Sequence, residues 1–276
     1  QTQENIEYYH INFIKQAIEI AENLREENRE NEFIWVCECF WNIEVFLKYV
    51  DETWKERLKK CILNKSIEVT GNYLNLNEMV DYDVLKNHIK KSVEFSKYVG
   101  VKIDSAITAD INGYSWGYSD ALYENDIKNL FSCVHTHHGM YPLFKKQTPF
   151  YWETPKGNKV LVWNGEHYHF GNEFGIVKTA TGSYINRDEF SDKFTEENRY
   201  EIGTKRLYRY LSNLENEGYE YDFVPITIHG LPTDNGSPNI EVLEFIYWWN
   251  KNNEKVTIKM TSLGEFFKKL RNSDVS

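Results

Sequence analysis

Residues 102–118 read K-I-D-S-A-I-T-A-D-I-N-G-Y-S-W-G-Y. The first half is short, apolar and rich in β-branched side chains, which predicts a buried strand ending at Asp110. Asn112 and Gly113 then supply a turn, because both residues tolerate positive φ. Tyr114, Trp116 and Tyr118 follow at once. An acid at the C-terminal end of a core strand, on a glycine turn beside aromatic rings, is where α/β enzymes place chemistry. Aspartate before Asn-Gly also shapes turns for backbone reasons alone, so the segment by itself leaves both uses open.

Working outward, strand and helix patterns alternate. Ile6, Tyr9, Phe13, Ala17, Ile20 and Leu24 keep a helical period, so residues 4–26 are a long amphipathic helix. F-I-W-V-C-E-C (33–39) is a strand carrying Glu38, and residues 42–49 and 52–63 are helical. Strand 67–71, helix 84–99 stopped by Gly100, the strand to Asp110 and helix 119–125 come next. Strand 129–134 runs into His135-Thr136-His137-His138, and 140–158 reads as loop, punctuated by Pro142, Pro149, Pro155 and Gly157. Strand 159–163 ends near Glu166-His167-Tyr168-His169, before a long irregular stretch to about 194. Helix 195–218, strand 222–228, helix 239–251, strand 255–260 and helix 262–270 complete the chain. The prediction is one α/β domain over residues 1–276. Its mostly parallel sheet is closed or nearly closed into a distorted (β/α) barrel.

Composition narrows the class. The 276 residues suffice for one large core. A net charge of -10 argues against a nucleic-acid backbone as partner. No apolar run approaches the ~18 residues of a membrane helix, and no signal peptide opens the chain. Cys37, Cys39, Cys61 and Cys133 form no C-x-x-C pair. They read as plain thiols in a reducing, cytoplasmic setting. The 8 Trp and 19 Tyr suit a sugar-stacking cleft as well as an ordinary large core.

Polar residues gather after nearly every predicted strand: Glu38, Asn77 and Glu78, Asp110 and Asn112, His135 to His138, Glu166 to His169, and His229 with Asp234. A purely structural core has no need of such a set. Two carboxylates from different strands are what glycoside hydrolysis requires. One attacks the anomeric carbon or activates water, and the other protonates the leaving oxygen. Asp110 and Asp234 are the best-placed pair, although Asp234 lies in a P-T-D-N-G turn where aspartate is common. The histidine clusters invite a metal, yet neither has a diagnostic spacing, and a histidine at a strand end also serves sugar hydroxyls or backbone. No Gly-rich phosphate loop and no G-x-S-x-G elbow is present.

Five segments together resemble the N-terminal catalytic domain of glycoside hydrolase family 38, the α-mannosidases and relatives. They are F-I-W-V-C-E (33–38), E-V-T-G-N-Y-L-N-L-N-E (68–78), T-A-D-I-N-G-Y-S (108–115), H-G-L-P-T-D-N (229–235) and M-T-S-L-G-E-F-F (260–267). Tyr73 stands where that family usually has Trp, and Asn77 where it has Asp. T-H-H-G, P-F-Y-W-E and G-E-H-Y-H-F-G-N resemble a poorly characterised bacterial branch. The resemblance implies a retaining, zinc-dependent glycosidase. Asp110 is then nucleophile and zinc ligand, and Asp234 the acid/base. Trp35, Trp116, Trp152 and Tyr168 are candidate sugar-contacting aromatics. Glu38, Asn112, His137, His167 and His229 are candidates for orienting the sugar or the carboxylates. The family's His-x-Asp strand is expected before Gln1 and its last zinc-binding His after Ser276. The intact protein is therefore expected to bind zinc, and this chain alone to hold it poorly and be inactive. Two rival readings stay open: a metal-dependent carbohydrate deacetylase, and a carbohydrate-binding domain without chemistry.

Overall fold

The computed structural model describes residues 2–75, 79–111, 113–134, 145–177, 195, 197–228 and 236–273. The chain divides into two compact units, Gln1–Gly165 with Met260–Ser276, and Glu166–Lys259.

Among the described residues, the first unit carries six strands and most of the helices. In chain order these are α1 (Gln3–Glu26), β1 (Trp35–Cys37), α2 (Phe40–Tyr49), α3 (Glu52–Leu63), β2 (Ile67–Val69), α4 (Tyr82–Val99), β3 (Ser105–Ile111), α5 (Trp116–Glu124), β4 (Asn129–Val134), β5 (Thr148–Glu153) and β6 (Lys159–Asn164). The second unit holds a short 3-10 helix (Phe170–Phe174), α6 (Arg199–Asn216) and α7 (Glu241–Asn252), after which α8 (Leu263–Arg271) returns to the first.

Helix ends follow from capping chemistry. Thr2, Asp51, Asp81 and Ser262 each accept a backbone N–H of the first turn of α1, α3, α4 and α8. Gly100 ends α4 in the left-handed region (φ 85°), with its N–H on the Ser96 carbonyl at 2.8 Å.

β1 and β2 pair in parallel as one small sheet. The other sheet runs β3-β4-β6-β5, with β3, β4 and β6 parallel and β5 antiparallel to β6. The Gly71 N–H donates to the Ser105 carbonyl at 2.9 Å, linking the exit of β2 to the start of β3. The α/β class is as predicted, but the sheet is mixed, and no closed barrel forms among the described residues. Ile14, Ile18, Phe46, Ile89, Ala106, Leu130 and Val160 lie in one apolar cluster between these sheets and α1–α5.

Three segments depart from expectation. Residues 148–153, read as loop because of flanking prolines, form β5. Pro149 starts an outer strand, where a missing N–H is tolerated, and the 154–158 turn folds β5 back onto β6. Conversely, 222–228 and 255–260 are not strands. Their backbone groups are met by other partners. Asn250 brackets Ile258, donating to its carbonyl at 2.8 Å and accepting its N–H at 2.9 Å. The Trp249 indole donates to the Val256 carbonyl at 2.7 Å, and the Tyr219 hydroxyl to the Phe223 carbonyl at 2.6 Å. An apolar alternation predicts an extended chain, not who satisfies its amides.

In the second unit, α6 lies against the 3-10 helix at Gly203. A Cβ there would sit 2.2 Å from the Phe174 carbonyl oxygen. Phe170 packs edge to face on both Phe174 and Tyr210 around this crossing, and the Phe174 and Tyr210 rings are tilted to one another.

Candidate functional site

Asp110 lies at the C-terminal end of β3, where the sequence places it. β3 and β4 stay in register from Ser105 opposite Asn129 to Ala109 opposite Cys133, and resume with Ile111 opposite Val134. Asp110 is the extra residue, so it forms a β-bulge. Its φ is 55°, a left-handed conformation unusual for any residue but Gly, Asn and Asp, and its side chain is exposed while its neighbours Ala109 and Ile111 are buried. A bulge re-aims side chains at the end of a strand, and here it turns a carboxylate outward from an otherwise buried strand.

Glu38, immediately after β1, reaches the same place. Its carboxylate accepts a hydrogen bond from the Asn75 side-chain amide, and the Ala109 backbone N–H is a second donor that favours its charge. Burial pushes the Glu38 carboxyl above the usual carboxylate range. The two donors oppose this, and the charge of Asp110 adds to it. Behind it, Asn75 Oδ1 accepts from Asn72 Nδ2 at 2.9 Å, and the Thr70 hydroxyl donates to the Glu38 carbonyl at 2.6 Å. Cys37 and Cys39 flank Glu38. Burial pushes the Cys37 thiol up to about 12 and raises Cys39 as well, so neither offers a thiolate.

An aromatic cluster stands beside β3. The Tyr114 ring stacks on Tyr118 and meets Trp152 at 5.5 Å, and Trp152 meets Trp116 at 6.1 Å. The Tyr114 hydroxyl is fixed by Thr108 and Ser132, each at 2.6 Å. Trp116 is 64% exposed, so its indole offers a free face. Exposed indoles of this kind suit the C–H faces of sugar rings, which are apolar and flat.

The predicted site residues thus sort by position. Asp110 and Glu38 come together, as do Trp116 and Trp152. Trp35 is half-buried in β1, against the apolar cluster. His167 and Tyr168 belong to the second unit, where both are buried with their rings stacked at 4.3 Å, and His167 Nδ1 accepts the His169 N–H. Asn112, His137, His229 and Asp234 lie outside the described residues, as do Asn77, Glu78, His135 and His138. Sequence reasoning missed Asn75, Asn72 and Tyr114 as site residues. Asn72 and Asn75 lie inside the 68–78 segment that carried the family resemblance, which was the available signal.

Among the described residues, no group of three or more His, Cys, Asp or Glu could hold a metal ion. Asp110 and Glu38 are two carboxylates, short of a four-coordinate zinc shell, so the described residues do not by themselves fit that ion. A cavity of about 200 Å³ lies elsewhere, at the N-terminal ends of β2 and β3, lined by Ile67, Phe95, Val99 and Ile103 with Glu68 and Ser105.

Comparisons with known proteins bear on the family and the fold. The family model "Glycosyl hydrolases family 38 N-terminal domain" matches residues 1–275. None of the curated proteins matches the chain. Among solved structures, an α-mannosidase from Enterococcus faecalis V583 superposes with a TM-score of 0.68 at 11% identity, covering 99% of this chain and 27% of its own. A protein in glycosyl hydrolase family 38 from Enterococcus faecalis gives 0.65 at 10% identity, covering 99% and 26%. A 4-α-glucanotransferase from Thermococcus litoralis gives 0.51 at 13% identity, covering 91% and 33%. These likenesses bear on fold, and the chain spans about a quarter of the length of the two family 38 structures. With a family model running across nearly its whole length, the chain belongs to glycosyl hydrolase family 38, as its N-terminal domain.

Proposed function

We propose that residues 1–276 serve as one catalytic-type domain in a retaining, α-mannosidase-like glycoside hydrolase acting on mannosides or related glycans. The observation that carries this is Asp110: an exposed carboxylate on a strand-end bulge, beside Glu38 and next to an aromatic cluster with an open indole face. Family membership and the α-mannosidase fold neighbour support the substrate class. The two small sheets would be arcs of one distorted barrel, joined through the Gly71–Ser105 hydrogen bond.

In this mechanism an Asp110 carboxylate oxygen attacks the anomeric carbon as the bond to the leaving oxygen breaks. Asp234 gives that oxygen its proton. Water then attacks the same carbon, Asp234 takes the water's proton, and the bond to Asp110 breaks, restoring both carboxyl groups. Trp116 and Trp152 would stack on a sugar ring. Trp35, Tyr168, Asn112, His137, His167 and His229 are assigned to the sugar's surroundings. Zinc, which the family implies, is assigned to the intact protein with Asp110 as one ligand, and no step here depends on it.

The test is release of an aryl leaving group from α-mannosides by the gene-length protein, with zinc added and then chelated, for the natural sequence and Asp110→Asn. Turnover that disappears in the variant supports Asp110 as nucleophile. Full turnover with Asp110→Asn would remove Asp110 from the chemistry and favour a sugar-binding role for the indole face.

A further inference from the structure

We infer that the cavity at the N-terminal ends of β2 and β3 is a binding site for a small organic cation with an apolar body, its charged end on Glu68. Asp110 lies at the opposite end of β3, and the inference does not rest on the chemistry proposed for it.

Shape limits the ligand first. The cavity holds about 200 Å³ and is walled by Ile67 and Val69 of β2, Phe95 and Val99 of α4, and Val101 and Ile103 of the link to β3. A dry cavity of ~150 Å³ takes up benzene, so this one suits a body of about six to nine heavy atoms. Lys65, Lys102 and Glu265 also line it, and their side chains are exposed, so a molecule can enter from solvent.

The polar groups decide the ligand's charge. The hydroxyls are committed. Ser96 Oγ donates to the Val93 carbonyl at 2.8 Å, Ser105 Oγ donates to Asp104 at 2.9 Å, and Ser262 Oγ accepts the Glu265 N–H at 3.2 Å. Glu68 takes the Leu263 and Gly264 N–H groups, so the first three amides of α8 are occupied and offer nothing to an anion. Lys65 and Lys102 are paired with Glu265 and Asp126. What remains is two carboxylates, Glu68 and Asp104, neither ion-paired with any described residue. Carboxylates beside apolar walls, without a counter-charge, favour a donor that brings a positive charge. The chain's net charge of -10 draws such ions toward it.

The experiment uses benzylamine, with benzyl alcohol as the neutral molecule of the same shape, and the gene-length protein at pH 8. Affinity is read by saturation-transfer NMR. Location is read by amide exchange of the peptides covering residues 93–105 and 260–268. Benzylamine should bind at least about 10-fold more tightly than benzyl alcohol and slow exchange in both peptides by about 3-fold. Glu68→Gln should remove that preference, weakening benzylamine about 10-fold and leaving benzyl alcohol unchanged. Ser96→Phe puts a ring into the cavity from α4 and should abolish binding of both, with turnover as in the natural protein. It keeps the test available if Glu68→Gln does not fold. Asp110→Asn should alter neither affinity nor protection.

No protection of these peptides at ~10 mM benzylamine, a concentration that fills even a millimolar site, would overturn the inference. Equal affinity for the amine and the alcohol would do so too, since the cavity would then have no preference for charge. So would benzylamine binding that survives Ser96→Phe or is lost in Asp110→Asn, because the amine would then sit elsewhere.

Discussion

Glu68 on β2 carries a testable pH dependence. Its largely buried carboxylate reaches the N-terminus of α8, accepting the Leu263 N–H at 2.6 Å and the Gly264 N–H at 2.8 Å. Two backbone donors at a helix start favour a negative charge. Burial opposes them and is the larger effect, and Asp104 and Glu265 add repulsion, so the carboxyl rises from its ordinary 4.5 to about 7. Lys65 and Lys102 line the same cavity but are paired with Glu265 and Asp126, at 3.3 and 3.2 Å. With the folded value above the unfolded one, the native state binds more protons between these limits. The resulting stability is fully present below about pH 4.5 and is lost as pH rises through about 7. At ~1.4 kcal/mol per pH unit, the loss is about 3 kcal/mol.

The perturbation is Glu68→Gln, which cannot titrate. Urea unfolding of both proteins at pH 5 and pH 8 gives the stability difference at each pH. Comparing the two proteins at the same pH cancels the titration of every other group. At pH 5 the natural protein should be the more stable, because the variant amide must turn an N–H₂ toward a backbone N–H. By pH 8 its advantage should shrink by about 3 kcal/mol, enough to reverse the order. A constant difference would show that Glu68 does not titrate in this range. An advantage that grows with pH would show that the α8 donors outweigh burial, refuting the sign of the argument.

Three further outcomes are expected. Asp110→Gly should stabilise the protein by about 1 kcal/mol in thermal unfolding, by relieving the left-handed strain at φ 55°, while abolishing turnover. A loss of stability there would show that the aspartate side chain supports the bulge. Gly203→Ala should destabilise the second unit by about 2 kcal/mol or more, because the new methyl meets the Phe174 carbonyl rather than a side chain able to move. Unchanged unfolding would place α6 farther from that helix. Trp116→Ala should leave thermal stability within about 0.5 kcal/mol, given its exposure, and weaken binding of mannosides as read by KM or calorimetry. Unaltered binding would remove the indole from the sugar's path.

Much of the fold was legible because it rests on local signals. Helical periodicity located α1 and α4, and Gly100 announced the end of α4. The 102–118 stretch declared both β3 and its terminal acid. Failures came where the partner lies outside the local pattern that a periodicity reads. Nothing local says that Asn250 would serve Ile258 as a strand might, or that a proline-flanked T-P-F-Y-W-E would pair with β6. Glu38 follows β1 and Asp110 ends β3, so the sequence could nominate each carboxylate but not that the charge of one acts on the other. The positive φ of Asp110 was equally hidden, although the Asn-Gly following it hinted at an irregular strand end.

The outer position of β5 matters beyond the site. In the described sheet it pairs only with β6, and an outer strand is a template on which a second polypeptide can grow. β5 is poorly suited to that use. It has six residues, Pro149 removes one donor near its start, and Glu153 places a charge at its finish. Tyr151 adds an exposed ring between them. Exchanging Pro149 and Glu153 for β-branched apolar residues would lengthen the usable edge and invite strand-to-strand self-association. Pro149, one of the residues that made this segment read as a loop, thus also blunts the edge that the strand forms.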